Sequence, residues 1–187
     1  MRNITAIFAP AFVFVTLLGA QSPNYGIGRV ASDEEIYAWD ISIPPDGTGL
    51  PPGKGTAVEG KEVYKLRCAE CHGENGEGGD AAALVGGRGT LRSPKPLKTV
   101  GSYWPHATTL WDYVNRAMPF DRPGMLTNDQ VYAVVAYVLF LNEIIEEKAE
   151  MNAESLPSVK MPNRDAFVPA SEVDAEVEPS WPGGPKE

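Results

Sequence analysis

The sequence has very little cysteine and histidine, two of each in 187 residues. A framework of several disulfides is therefore excluded, because each bridge consumes two thiols. Basic clusters are missing as well. Lys and Arg number 16 against 25 Asp and Glu, for a net charge of −9. No cluster of Lys or Arg exceeds two residues. Nucleic-acid binding rests on such clusters through counterion release, so that class of partner is excluded. A docking partner with a basic face suits this charge better. The chain contains no internal repeat.

Long hydrophobic runs are scarce too. One is residues 4–20, ITAIFAPAFVFVTLLGA, preceded by the short positive segment Met1-Arg2-Asn3. It is interrupted by Pro10 and falls short of the ~20 apolar residues that a single span needs. Its uncharged core and small-residue end read as an export signal, 1–20, cut after Ala20. An uncleaved anchor is the alternative. A lipobox cysteine is absent. The mature chain is expected in the periplasm, without a stable membrane span.

Glycine (19) and proline (17) are plentiful. Together they exceed the ~12% of ordinary usage and point to long irregular segments around a modest core. Residues 21–54 read as an extended arm with a short helix near 33–38. Tyr37, Trp39, Ile41 and Ile43 alternate, a pattern that suits a strand-like segment laid along an apolar surface. Residues 57–71 read as a helix with Val58, Val63 and Leu66 to one side. Gly60 inside it costs ~1 kcal/mol relative to Ala and permits close approach of another helix. Residues 73–102 are loop-like and glycine-rich, and long loops in compact domains usually carry function. Thr108 or Thr109 caps a short helix over 110–117, with Leu110, Val114 and Ala117 on one face, and Pro119 ends it. The strongest helix runs from Thr127 to about Lys148. Thr127 and Gln130 form a capping box. Val131, Val134, Val135, Val138 and Leu139 recur at helical spacing within an uninterrupted apolar run, so this helix is covered on most sides. Residues 151–187 read as a second irregular arm, its last ten or so residues disordered.

Both cysteines and one histidine fall in RCAECHGEN, at Cys68, Cys71 and His72. C-x-x-C-H in an exported chain is the attachment sequence of c-type haem. Residues at i and i+3 of a helical turn share a face, so both sulfurs reach one porphyrin edge. His72 then provides the fifth iron ligand. Three other readings explain less. A Cys68–Cys71 disulfide leaves His72 without a role. A redox dithiol lacks its strand–helix context. Zinc needs four ligands, which Cys68, Cys71, His72 and His106 supply only by coincidence. One covalent haem c is expected.

The candidates for the sixth ligand are His106, Met118, Met125, Met151 and Met161. Met118 is favoured, because it stands at the end of a short helix and is held extended by Pro119. Met151 and Met161 read as packing or surface residues of the tail. Arg88 suits a haem propionate through its planar donors, or is a solvated loop charge. Tyr103 and Trp104 are further candidates for propionate contact, with core packing the plainer role of Trp104. Trp111 and Tyr113 read as haem-wall or core residues.

The order helix, CxxCH, loop, Met-Pro, helix over roughly 55–150 resembles a class I cytochrome c domain, an all-α fold whose N- and C-terminal helices pack around the haem. The stretches at 39–64, 99–142 (TVGSYWPHATTLWDYVNRAMPFDRPGMLTNDQVYAVVAYVLFLN) and 156–168 are more specifically similar to the cytochrome subunit of periplasmic sulfane dehydrogenase, the SoxD type. That resemblance implies Cys68, Cys71 and His72 as attachment site and Met118 in RAMPF as distal ligand. It implies a molybdenum-cofactor dehydrogenase subunit as partner and a downstream cytochrome c as electron acceptor. Members of that family commonly carry an aromatic residue where His106 stands, and some carry a second haem domain, whereas this chain has a single CxxCH.

Two axial protein ligands leave no open site for substrate, so the expected function is one-electron transfer as a subunit rather than catalysis by this chain alone. The rival readings are a free periplasmic electron carrier and a haem enzyme acting on thiosulfate.

Overall fold

A computed structural model describes residues 26–168. The export signal expected at 1–20 and the disorder expected in the last ten residues lie outside the described part. The chain divides at Trp39/Asp40 into two units.

The described part of the first unit holds one helix, α1 (Asp33–Trp39). The helix expected at 33–38 is present. The strand expected from the alternation of Tyr37, Trp39, Ile41 and Ile43 is not: Tyr37 and Trp39 lie within α1, and of the two residues that follow, Ile41 is exposed and Ile43 buried. Local capping overrides the alternation, because Glu35 N donates to Ser32 Oγ and Ser32 N donates back to the Glu35 carboxylate.

The second unit is mostly helical. In chain order it contains β1 (Lys54–Gly55), α2 (Ala57–Arg67), α3 (Ala69–His72), α4 (Ala107–Ala117), α5 (Asn128–Leu141) and β2 (Met151–Asn152), followed by a 3-10 turn at Leu156–Ser158. β1 and β2 pair antiparallel, with Lys54 opposite Asn152 and Gly55 opposite Met151.

α5 is the centre of the core. Its nine residues from Val131 to Leu139 are all buried. The expected capping box is present: Gln130 N donates to Thr127 Oγ1 at 3.3 Å and Thr127 N donates to Gln130 Oε1 at 3.0 Å. The helix ends at Leu141 rather than near Lys148. Glu143 takes a left-handed φ of 56°. Its N–H bonds Phe140 O at 2.8 Å and the Ile144 N–H bonds Leu139 O at 3.0 Å. This is the Schellman closure, made without its usual glycine.

α2 packs across α5. Its buried residues are Ala57, Gly60 and Tyr64, whereas Val58 and Leu66 of the expected face are 50% and 72% exposed. Small residues decide the face, because they let two backbones approach. A Cβ on Gly60 would lie 2.5 Å from the Ala133 carbonyl carbon and 2.9 Å from Tyr137 Cβ. The close approach expected of Gly60 is therefore present. Tyr64 and Tyr137 pack ring on ring at 5.3 Å. α2 also begins with a capping box, Thr56 with Glu59.

α4 starts a turn earlier than expected. Its N-cap is His106, without a side-chain cap bond. Thr108 is buried inside the first turn, and its hydroxyl donates to Pro45 O at 3.4 Å. Residues on either side of the helical region complete the core: Ile43, Met151, Leu156, Val159 and Met161 are all buried. Among the described residues no helix is long and apolar enough to cross a membrane.

Candidate functional site

The helix expected over 57–71 breaks at Cys68, whose φ of −126° and ψ of −37° make it both the last cap of α2 and the first of α3. The break sets Cys68, Cys71 and His72 on a turn of their own, closed by His72 N donating to Cys68 O at 2.9 Å. Both thiols are free; Cys68 is partly buried and Cys71 exposed. Burial, and then the neighbouring Cys71, push the Cys68 thiol up to about 11, so it stays neutral at ordinary pH.

The loop after the motif is folded back onto it. Ala81 N donates to Cys71 O at 2.9 Å and Gly78 N to His72 O at 2.8 Å. Tyr64 of α2 donates its hydroxyl to Gly73 O at 3.0 Å. The decisive contact is to the imidazole: His72 Nδ1 lies 2.8 Å from Ala82 O. A carbonyl can only accept, so Nδ1 carries the proton and Nε2 keeps its lone pair. Such a bond to the second nitrogen is what fixes tautomer and ring direction in a ligating histidine. No sequence signal announces it, since the acceptor is main chain.

The loop is itself anchored to α5. Leu84 O accepts from Val100 N at 3.2 Å and from the buried Asn142 Nδ2 at 3.1 Å. Met118 caps the C-terminus of α4 with extended backbone (φ −123°, ψ 149°). It is partly buried. Met125 is 37% exposed, and Met151 and Met161 are core residues at 5% and 3%.

The remaining candidates are placed as follows. Arg88 donates to Asn142 O, and its Nη1 lies 4.0 Å from the Glu143 carboxylate, so it closes the C-terminal end of α5. Tyr103 accepts at its carbonyl from Asn163 Nδ2 at 2.8 Å, and its ring lies under Lys98 Nζ and beside Phe167. Trp104 packs edge-on against Tyr113 with centroids 5.8 Å apart. Trp111 is buried against Tyr132 at 5.4 Å. Among the described residues, two buried side-chain nitrogens have no hydrogen-bond partner, His106 Nδ1 and Trp111 Nε1. His106 is the N-cap of α4 and Trp111 lies in its second turn.

A family model of cytochrome c matches residues 57–142. A chain in the crystal structure of the sulfane dehydrogenase SoxCD from Paracoccus pantotrophus is similar in sequence and shape, at 40% identity and a TM-score of 0.73. The match covers 88% of this chain and 81% of that one. The chain belongs to the cytochrome c family.

The residues of this cytochrome fit the covalent haem c that the family implies. Two free thiols stand at the attachment spacing, and the histidine beside them has its far nitrogen tied and its near nitrogen available. The all-α class I cytochrome c fold and a haem electron-transfer role follow from the family and from this site.

Proposed function

We propose that the protein is the haem subunit of a two-subunit sulfur-oxidising dehydrogenase, an exported periplasmic cytochrome with a single haem and Met118 as distal ligand. The observation that carries this reading is the extent of the SoxCD match. A match over 88% of the chain reaches far beyond residues 57–142 and takes in the segments on both sides. A free carrier needs only the domain; segments shared with an enzyme complex fit a subunit.

The haem, when bound, supplies a one-electron ferric/ferrous couple. Cys68 and Cys71 would hold it through thioethers. His72, whose Nδ1 is tied to Ala82 O, would bind the iron through Nε2. Met118, at the extended C-cap of α4, would be the second protein ligand. A neutral sulfur ligand and an apolar surround both favour the reduced state. Val114, Leu84 and Trp104 are partly buried apolar residues packed on the core. With His72 and Met118 both as ligands, the chain would relay electrons from a molybdenum-cofactor subunit to a downstream cytochrome c.

The test is co-purification from periplasm followed by molybdenum analysis, with the far-red absorption band of thioether-ligated ferric haem read on the same sample. Stoichiometric molybdenum and the band are expected. A molybdenum-free monomer that keeps its haem would support a free carrier. Turnover of sulfite or thiosulfate by the isolated cytochrome would overturn the subunit reading.

A further inference from the structure

Among the described residues, none of 27–39 is buried. α1 has no buried residue, and helices below ~12–15 residues are marginal in water. This one has only seven, yet it is built to hold. Besides the reciprocal Ser32–Glu35 pair, Arg29 donates two N–H groups to the same carboxylate, at 2.7 and 2.5 Å. Arg29, and then the Ser32 N–H, hold the Glu35 carboxyl down to about 2, so the clamp is ionised at ordinary pH.

The clamp presents apolar side chains to water. Ile36 is 53% exposed, Tyr37 84% and Trp39 88%, with Ile27 and Val30 above 90% just upstream. Scattered exposed apolar residues are ordinary. Tyr and Trp on a pre-ordered backbone are different: they are the anchors most enriched at protein interfaces, and pre-ordering removes part of the entropy cost of binding. The charges select the occupant. Asp33, Glu34 and Glu35 crowd the first turn, and α1 has no basic residue in its last turn. A helix that lies on a bilayer carries Lys and Arg on its polar face, so a membrane is disfavoured. A second copy would bring the same acidic turn against itself. A protein groove with an apolar floor and a basic rim meets both features.

We propose that residues 27–39 form a pre-ordered docking segment whose Tyr37 and Trp39 enter an apolar, basic-rimmed groove on the molybdenum-bearing subunit. This inference rests on the subunit reading above and names the surface that makes the contact.

The experiment uses the haem-loaded full chain and the purified molybdenum subunit. Affinity is measured for the wild type, for Tyr37→Ser/Trp39→Ser, and for Asp33→Lys/Glu34→Lys. The aromatic double variant is expected to bind about 100-fold more weakly, as for removal of two interface anchors. Its absorption spectrum and thermal midpoint are expected to stay unchanged. The charge variant is expected to lose affinity at low salt and to match the wild type at high salt. Undiminished binding by the aromatic variant would overturn the inference and leave the subunit reading standing. A lowered thermal midpoint of that variant would also overturn it, by showing the rings already buried in the free chain. A wild type that does not bind the subunit at all would overturn both readings. Sedimentation of the cytochrome alone, or with vesicles of anionic lipid, would overturn this one if Trp39 proved necessary for self-association or lipid binding.

Discussion

Gly60→Ala separates helix propensity from helix packing. On an exposed helical turn, alanine is worth ~1 kcal/mol more than glycine, so propensity alone forecasts a stabilised protein. The packing forecasts the reverse. The new Cβ would sit 2.5 Å from the Ala133 carbonyl carbon and 2.9 Å from Tyr137 Cβ, against the ~3.5–4.0 Å at which carbon atoms attract. No rotamer relieves a clash made by Cβ itself, so α2 and α5 must move apart by roughly 1 Å, and a gap of that order forfeits a quarter to a half of each contact. Overpacking of this kind costs ~1–3 kcal/mol, and here the obstacle is main chain, at the upper end of the range. After the gain in propensity, the net loss is about 2 kcal/mol. For a folded unit of this size that lowers the thermal midpoint by roughly 6–8 °C. The assay is guanidinium and thermal unfolding of haem-loaded protein, followed by far-ultraviolet circular dichroism. A variant as stable as the wild type would refute the argument. Adding Ala133→Gly should not restore stability, because the clash is with its carbonyl, and recovery would refute the geometry equally.

Three other outcomes follow from the described contacts. Asp112 is 7% exposed, and its Oδ1 accepts from Ile43 N and from Arg116 Nε, both at 3.0 Å. Asp112→Ala should cost about 2–3 kcal/mol in denaturant unfolding, and Asp112→Asn, which keeps an acceptor for Ile43, about half of that. Glu143→Gly should raise stability by about 1 kcal/mol, because glycine adopts the left-handed φ without strain and the pair lost with Arg88, at 88% exposure of Glu143, contributes little. Burial pushes the Tyr132 phenol up to about 12, while its hydroxyl donates to Pro51 O at 3.0 Å. A raised folded pKa means that the folded state holds the proton longer, so this stability is intact below the unfolded value near ~10 and is lost as pH climbs towards 12. Guanidinium midpoints should therefore fall between those values, and Tyr132→Phe should make the fall shallower, with Tyr64 and Tyr137 supplying the rest through shifts of the same sign.

What was legible in the sequence, and what was not, divides along physical lines. The start of α5 could be read because Thr127 and Gln130 cap it locally and the valines repeat at helical spacing. Its end could not, because a left-handed glutamate carries no residue-type signal. The buried face of α2 was misread because hydrophobicity points to Val58 and Leu66, whereas close approach selects Ala57 and Gly60. Its capping box, Thr56 with Glu59, was readable in TAVE. The pairing of Lys54–Gly55 with Met151–Asn152 spans two residues on each side, too few for any periodicity. At the site, the proposed attachment residues of CAECH were the most legible part, since their chemistry is in the side chains. The partner of His72 was invisible, since Ala82 contributes only its carbonyl. The contact of Arg88 with Asn142 was invisible in another way: a guanidinium that suits a carboxylate suits the last carbonyls of a helix as well, and the fold brings it there.

The placement of the site explains why so much of this chain is glycine-rich loop. His72 and Met118 both stand where a helix stops, one at the end of α3 and the other as the C-cap of α4. A residue inside a helix has its direction fixed by the axis and its side chain claimed by the neighbouring helix. A residue at the end is released from both and can be aimed by other means. For His72 the means is a loop whose peptide groups bond the motif at Cys71, His72 and the imidazole, and that loop is tied through Leu84 to Asn142, where α5 also stops. Several of its turns need positive φ, as at Gly73, Gly76 and Gly78, and only glycine supplies this without strain. The α2–α5 pair therefore sets where the candidate site lies, while the loop sets which way His72, its proposed ligand, points. A change at Asn142, buried at 5% exposure, should for that reason reach His72 through the loop backbone rather than through the core.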